Sequence, residues 1–504
     1  MRISVVILAI ALVFCSGCKK TTLVDSCDGP TRFAVLTDIH LMHPDLLVHE
    51  GKAFDDYNWE ECKFLRESPE IFATTLEKVA DFKPAFLVVC GDMTKDGEVI
   101  SHQYAADRLK EFSQKTGTKI LVVPGNHDLT NPHSLKYDGD VASKEPSATE
   151  EQFKTIYKDC GYGDAVARGP RTLDYMSYPT DSIAFIGVDS NEENTPDSAK
   201  VSGGLTKEQA EWIADMVKKA HSDGRRVIMG MHHNVLEYYD HASLIRGDNI
   251  ANAKYDSYTN EQLVSDLCNA GVEVVFSGHS HMHSITSRRV DSKEIYSIVT
   301  SSLVNLPFAF RLCEVSNGGL LDIHSANVQE FRPSNGVNLI EQGKRYWQDL
   351  SAFYMNSAAK KCWENEIATT FLSELGFDGP EDIEAFLAEK AQATFYNFLY
   401  YTSNGNEHLY SPSWNVKDAM SSLNDIIESI IQRLVDNFME QGDSEEEAME
   451  EALGVIALIE EVFGISLEEA RATAQEFFYS AYHNYYGADR TVVPDDAVTI
   501  RLNK

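Results

Sequence analysis

Five short clusters of metal-competent side chains follow one another along this chain: Asp38-Ile39-His40, Gly91-Asp92, Gly125-Asn126-His127-Asp128, His232-His233-Asn234 and Gly278-His279-Ser280-His281. Carboxylate, imidazole and amide oxygen are the ligands that first-row divalent ions accept, and two neighbouring ions need about three or four protein ligands each, with one group bridging both. The ordered set supplies that inventory. Alternation within Asp38-Ile39-His40 and within His279-Ser280-His281 sends two side chains from the same side of an extended turn. A glycine ahead of Asp92, Asn126 and His279 lets the backbone turn sharply beside the ions. Each cluster alone is common in loops; their order is what points to a two-metal centre.

Such side chains must be delivered by rigid elements. Apolar runs predict strands over residues 33–36, 86–90, 120–123, 183–188, 227–231 and 272–276, with later ones near 295–300 and 310–315. Helical patterns fall over 70–82, 104–116 and 207–220. This is the alternation of an α/β domain. Every strand up to 276 runs into a turn bearing Asp, Asn or His, so the clusters gather on the edge formed by the strands' carboxyl ends, where open α/β sheets bind ligands. Adjacent His232 and His233 compete for one ligand position. His43, His102, His133 and His283 read as supporting or surface residues.

The composition bounds what this site serves. With 504 residues, 43% hydrophobic and 24% charged, the chain is globular and long enough for more than one domain. A formal net charge of -34 gives no support to nucleic-acid binding, so no nucleic-acid partner is expected. It does not exclude a small phosphate substrate, because bound divalent ions can supply the local positive charge. Arg2, an apolar run over 3–14 and then Cys15-Ser16-Gly17-Cys18 give residues 1–17 the form of a bacterial lipoprotein signal, with Cys18 lipidated, although Cys15 departs from that pattern. The expected location is the cell envelope, on a membrane through the lipid. Residues 18–30 read as a linker. The remaining cysteines show no zinc-binding spacing; Cys90 and Cys268 read as buried thiols, and no disulfide is assigned.

A linker over 328–345, with Pro333, Ser334, Asn335 and Gly336, separates a first domain over 31–327 from a mainly helical one over 346–504. There Leu423, Ile427, Ile430, Ile431, Leu434, Val435 and Phe438 recur at helical spacing, and Ser444 with Glu447 and Ser466 with Glu469 form capping boxes. Aromatic rows from Phe395 to Tyr401 and from Phe477 to Tyr486 suggest packing against the first domain.

The ordered clusters resemble those of the calcineurin-like metallophosphoesterase family, whose pattern is DxH, GD, GNH(D/E), H and GHxH, and the likeness covers roughly residues 33–327. Val188-Asp189-Ser190 followed by Gly204-Leu205-Thr206 and Glu208-Gln209 resembles the family's strand and following helix. The resemblance implies a sandwich of two sheets flanked by helices. It also implies one metal held by Asp38, His40 and His281, a second held by Asn126, His232 and His279, and Asp92 bridging them. A metal-held hydroxide would attack phosphorus, His127 would protonate the leaving group and Asp128 would orient His127. After Asp92 come Met93, Thr94 and Lys95, so the iron-binding tyrosine of purple acid phosphatases is missing; manganese, zinc and iron stay open. Cys90-Gly91-Asp92-Met93-Thr94 most resembles the cyclic-nucleotide and glycerophosphodiester branch, so the expected reaction is phosphodiester hydrolysis. A phosphomonoesterase or nucleotidase on the same site is the alternative, and a lipid-anchored scaffold with a silent site is the reading from another class. Substrate-selecting residues are expected in the long connections over 42–68 and 129–171.

Lipidation can be tested by metabolic labelling with a fatty acid. Wild type should carry label and Cys18→Ala should not; equal label in both, or none in either, would refute the assignment.

Overall fold

The structure, a computed structural model, describes residues 29–236, 251–253, 259–364, 369–390, 416–473 and 497–504, less Cys62, Pro333, Phe371, Glu374, Gly464, Ile465 and Ala470. In chain order the strands of the two main sheets are β1 (Thr31–Leu36), β2 (Phe86–Cys90), β3 (Lys119–Val123), β4 (Ile183–Gly187), β5 (Arg226–Gly230), β6 (Val274–Ser277), β7 (Ser284–Val290), β8 (Lys293–Val299), β9 (Ala309–Val315), β10 (Leu320–Asn327) and β11 (Ala497–Arg501). The first sheet is six-stranded in the order β11-β10-β9-β1-β2-β3. Its β1, β2 and β3 are mutually parallel, while β9, β10 and β11 add to it antiparallel. The second is seven-stranded: β7-β8-β6-β5-β4, then the short strands Tyr175–Ser177 and Ala167–Arg168. Within it β4, β5, β6 and β8 run parallel.

Parallel strands covered on both faces must be apolar throughout, and β2, β4 and β5 are buried at every position. The sheets meet through one core. Phe33 stacks on Phe86 with ring centroids 4.7 Å apart and meets the edge of Phe276 from the other sheet at 5.7 Å. Offset and edge-on aromatic contacts of this kind bury large apolar area in a defined orientation, which fixes one sheet over the other. Helix α1 (Lys52–Glu61) packs on the hairpin of Leu135–Asp138 and Val141–Lys144, while the outer faces of the main sheets are covered by α2 (Ser68–Phe82), α3 (Val99–Thr116), α4 (Lys207–Ser222) and α5 (Asn260–Ala270). Full capping boxes start the last two, Thr206 with Gln209 and Thr259 with Gln262. The α/β sandwich is the expected architecture, and β2 spans the very residues expected.

The C-terminal region departs from expectation in two ways. Helix α6 (Leu339–Trp363) begins inside the stretch expected to be a linker, and it is followed by α7 (Pro380–Lys390), α8 (Val416–Gln441) and α9 (Glu445–Phe463). More importantly, the end of the expected helical domain is a strand: β11 pairs with β10, Leu321 opposite Ile500 and Ile323 opposite Val498. Five residues with one apolar face carry too little sequence signal to be told from a loop, and only the neighbouring edge makes them a strand. Leu434 and Val435 of α8 pack on Ala448 and Ala452 of α9, and the Ser444–Glu447 box is formed. The aromatic rows of Phe395–Tyr401 and Phe477–Tyr486, and the signal with Cys18, lie outside the described residues. Cys90, Cys160, Cys268 and Cys313 are buried free thiols. Among the described residues no helix is long and apolar enough to cross a membrane.

Deleting residues 497–504 should unpair the β10 edge and expose the faces that cover Val498, Ile500 and Leu502. Burial of such side chains contributes on the order of 1.5–3 kcal/mol each, so a fall of at least ~3 kcal/mol in unfolding free energy is expected in urea melts. An unchanged midpoint would mean that β11 adds nothing to the sheet in solution.

Candidate metal centre

The clusters converge where the parallel strands of both sheets end. Past β1 the chain turns through Asp38 (φ 48°) and His40 (φ 42°), past β2 through Asp92 (φ 49°), and past β6 through His279 (φ 67°) and His281 (φ 59°). Left-handed backbone at non-glycine residues is uncommon and is held only where surrounding bonds over-determine it. Those bonds are present. The amide of Asp38 donates to Gly91 O (3.0 Å), that of His40 to Asp92 O (2.9 Å), and that of Gly278 to His232 O (3.0 Å). The Asp38 carbonyl accepts from Leu303 N (3.2 Å) and from Ser302 Oγ (2.8 Å). Gly278 is a glycine because the β6 turn passes so close to Thr37 Oγ1 and Asp38 Oδ2 that a side chain would strike both.

The donor atoms face one another at coordination spacing. His40 Nε2 lies 3.1 Å from His281 Nε2, which is 3.4 Å from Asp38 Oδ1. His232 Nε2 lies 3.1 Å from Asn126 Oδ1, which is 3.0 Å from His279 Nδ1. Asp92 Oδ2 stands between the groups, 3.7 Å from His40 Nε2 and 3.3 Å from His232 Nε2. Ligands about 2.0–2.1 Å from a common ion at octahedral to tetrahedral angles are separated by roughly 2.8–3.4 Å, a range that holds all these pairs except His40–Asp92, a few tenths of an ångström wider, so the residues present fit two divalent ions sharing Asp92. Burial agrees, since the carboxylates of Asp38 and Asp92 are 0% and 2% exposed.

Protonation follows from burial and the acids. Burial, with neighbouring positive groups, holds His40 and His279 well below the ordinary histidine range, so both present neutral lone pairs. Burial also presses on His232, but the Asp92 carboxylate outweighs it and raises His232 to about 9. His232 Nδ1 bonds the Cys90 carbonyl (2.9 Å), which turns Nε2 toward the ligand cluster. The alternative, His233, bonds Ser190 Oγ (2.9 Å) and the Val201 carbonyl (3.0 Å), and burial lowers it to about 3. His102 and His283 are likewise engaged away from the cluster, with Tyr157 and Asp128 O, and with Ser325 and Ser301 N. His43 accepts from Asp45 N beside a short helix, and His133 is exposed.

His127 stands beside the cluster, its amide donating to Asp92 Oδ1 (2.9 Å) and its side chain 21% exposed. Asp128 does not orient it, contrary to expectation. The next residue along the turn points inward, and its carboxylate accepts from the amides of Gly125 (2.8 Å), Met93 (3.2 Å) and Thr94 (3.1 Å), tying the turns after β2 and β3 together. The residue on His127 Nδ1 is Asp96, at 2.8 Å, with the Lys95 carbonyl at 2.9 Å. Asp96 Oδ2 in turn accepts from Tyr57 Oη (2.5 Å) and Lys95 Nζ (2.6 Å). Burial and the Lys63 ammonium lower the His127 pKa, but Asp92 and Asp96 prevail and leave it above the ordinary value. Asp96, Tyr57 and Lys63 went unnoticed in the sequence. Lys95 and Asp96 closely following Gly91-Asp92 were the available signal.

These donor sets belong to a recognisable class. The calcineurin-like phosphoesterase family matches residues 31–283, half of the chain, and the protein belongs to that family. It is a metal-dependent phosphoesterase. The fold is similar to that of a dimetal phosphatase from Danio rerio, at 13% identity and TM-score 0.41, covering 59% of this chain and 96% of that one. It is also similar to GAP50, the anchor in the inner membrane complex of Plasmodium, at 15% identity and TM-score 0.32, covering 59% and 85%. No curated protein matches the chain.

Because His232 is raised to about 9, it is protonated near neutrality in the metal-free protein, and a metal must displace that proton. Apparent metal affinity should therefore rise with pH, by roughly tenfold per unit for a single released proton, and level off above about 9. Metal titrations across that range read this directly; a flat profile would remove His232 from the ligand set.

Proposed function

We propose that the protein is an exported, lipid-anchored phosphodiesterase in which Asp38, His40 and His281 hold one divalent ion, Asn126, His232 and His279 the other, and Asp92 both. The observation that supports a diester is a cavity of about 390 Å³ that reaches Asn126 and is lined by Leu129, Thr130, Glu150, Arg171 and Asn191. It offers room for a second substituent on phosphorus, which a monoester lacks. Much of it comes from the 129–171 connection expected to select substrate.

When bound, the metal pair polarises the phosphoryl oxygens and supplies a water of pKa near ~7. The rest falls to side chains. Asp92 fixes the spacing of the two halves of the site, and the strained turns hold the other donors ready. His127 has Nδ1 committed to Asp96 and the Lys95 carbonyl, so Nε2 is the nitrogen left to give a proton to the departing alkoxide. Asp96 stabilises the charged imidazolium before that transfer and fixes its direction.

Two variants test these roles. Asp92→Asn should lose metal and turnover together. His127→Ala should keep its metal and lose on the order of 10²- to 10⁴-fold in rate with an alkyl leaving group, but far less with a nitrophenolate diester. Equal loss for all leaving groups, or loss of metal in His127→Ala, would remove the general acid. Faster turnover of nitrophenyl phosphate than of its diester would overturn the diester assignment.

A further inference from the structure

The segment that leads from α1 to α2 carries a lysine that the roles above do not use. Lys63 is 6% exposed and its ammonium is 2.7 Å from Glu61 Oε2. The segment is pinned over the site on one side by the Phe64 amide, which donates to Val304 O (2.8 Å) in the strip whose Ser302 and Leu303 bond the Asp38 carbonyl. On its other side Tyr57 of α1 donates to Asp96, the partner of His127. Helix α6 locks it from outside: Tyr346 Oη donates to Asn58 O (3.1 Å), and the Phe64 ring lies between those of Tyr346 and Phe308 at 5.6 and 5.3 Å. The Lys63 charge accordingly acts on His40 and His127, and those of Asp92 and Asp96 act on Lys63.

The nearby cations differ in their commitments. Lys95 is fully buried between Asp96 (2.6 Å) and Glu98 (2.9 Å), with its ammonium over the Tyr57 ring. Arg171 is engaged by Asp189 (3.2 Å) and by the Asn191 carbonyl (2.6 Å). Lys63 is paired with a carboxylate that is itself 28% exposed and so has a route into solvent. A buried ammonium beside a centre meant for two divalent ions is repelled by them, and burying it costs free energy that only a neighbouring anion offsets. Glu61 is the anion in contact, since Asp92 and Asp96 act from farther off and are shared with the site's histidines and Lys95. A second anion in contact is the one the site exists to bind.

We propose that Lys63 binds a non-bridging oxygen of the substrate's phosphoryl group, and that Glu61 is the carboxylate this oxygen displaces. The assignment rests on the phosphoesterase reading and holds for monoester and diester alike. It gives α6 a part in substrate binding, because that helix fixes the segment that carries the ammonium.

The test is calorimetric binding of inorganic phosphate to the metal-loaded full chain, with metal content measured on each protein. Lys63→Gln should weaken phosphate by about 10- to 100-fold with metal content unchanged, as expected for loss of a charged hydrogen bond, and Lys63→Arg should restore most of it. Glu61→Gln should tighten phosphate, since it removes the competitor. Wild-type affinity in Lys63→Gln, metal loss in Lys63→Gln and Lys63→Arg alike, or weaker binding in Glu61→Gln would overturn the assignment while leaving the phosphoesterase reading intact. A metal-loaded wild type that binds no phosphate would overturn both.

Discussion

Two carboxylates buried at the meeting point of two sheets set the terms for everything around them. Asp38 and Asp92 have histidines as their ion-pair partners among the described residues. A buried carboxylate without positive charge is costly, and imidazoles can be neutral, so the arrangement is completed only by cations. The rest follows from that demand. Left-handed turns at Asp38, His40, Asp92, His279 and His281 aim donors inward at a cost of order 1–3 kcal/mol each, and the loop-to-loop hydrogen bonds keep them there. The aromatic contacts between the sheets keep the ends of β1 and β6 in register, so that Gly278 can lie against Thr37 and Asp38.

Much of this was legible in the sequence because the physics there is local. Strands buried on both faces have to be apolar, and a donor at a sharp turn brings a glycine with it, so the runs ending at Leu36, Cys90 and Val123 announced both the sheet and its working edge. What was not legible depended on which way a side chain turns in three dimensions. Asp128 follows His127 directly, yet it faces the amides of Met93 and Thr94, while Asp96 from a different turn reaches the imidazole. Adjacency along an irregular turn does not imply contact. Lys63 lay hidden for a similar reason: a lysine in a polar connection looks solvated until the segment is seen pinned beneath α6.

The residues that hold His127 also stabilise one another. Asp96 collects Tyr57, Lys95, Asn131 and His127, and Glu98 shares the Lys95 ammonium. In such a network each member is positioned by several bonds, so the direction of the imidazole does not rest on any single contact. Burial tends to raise the Asp96 pKa, but the surrounding donors more than reverse that and keep the carboxylate charged. The same loop thus supplies both the acid's orientation and part of the packing beneath α1.

The pairing of β10 with β11 has a consequence for how this chain could have acquired its helices. The backbone leaves the sandwich at the end of β10 and re-enters on the adjacent antiparallel strand, so topologically everything between is one hairpin loop. Closing a loop costs entropy that grows only with the logarithm of its length, about 0.6 kcal/mol for each doubling. An ancestral turn at this edge could therefore lengthen into a helical module, or one module be exchanged for another, with little penalty to the sandwich. Duplication and recombination can explore such a position freely, whereas the turns that carry the metal donors tolerate almost no change in length.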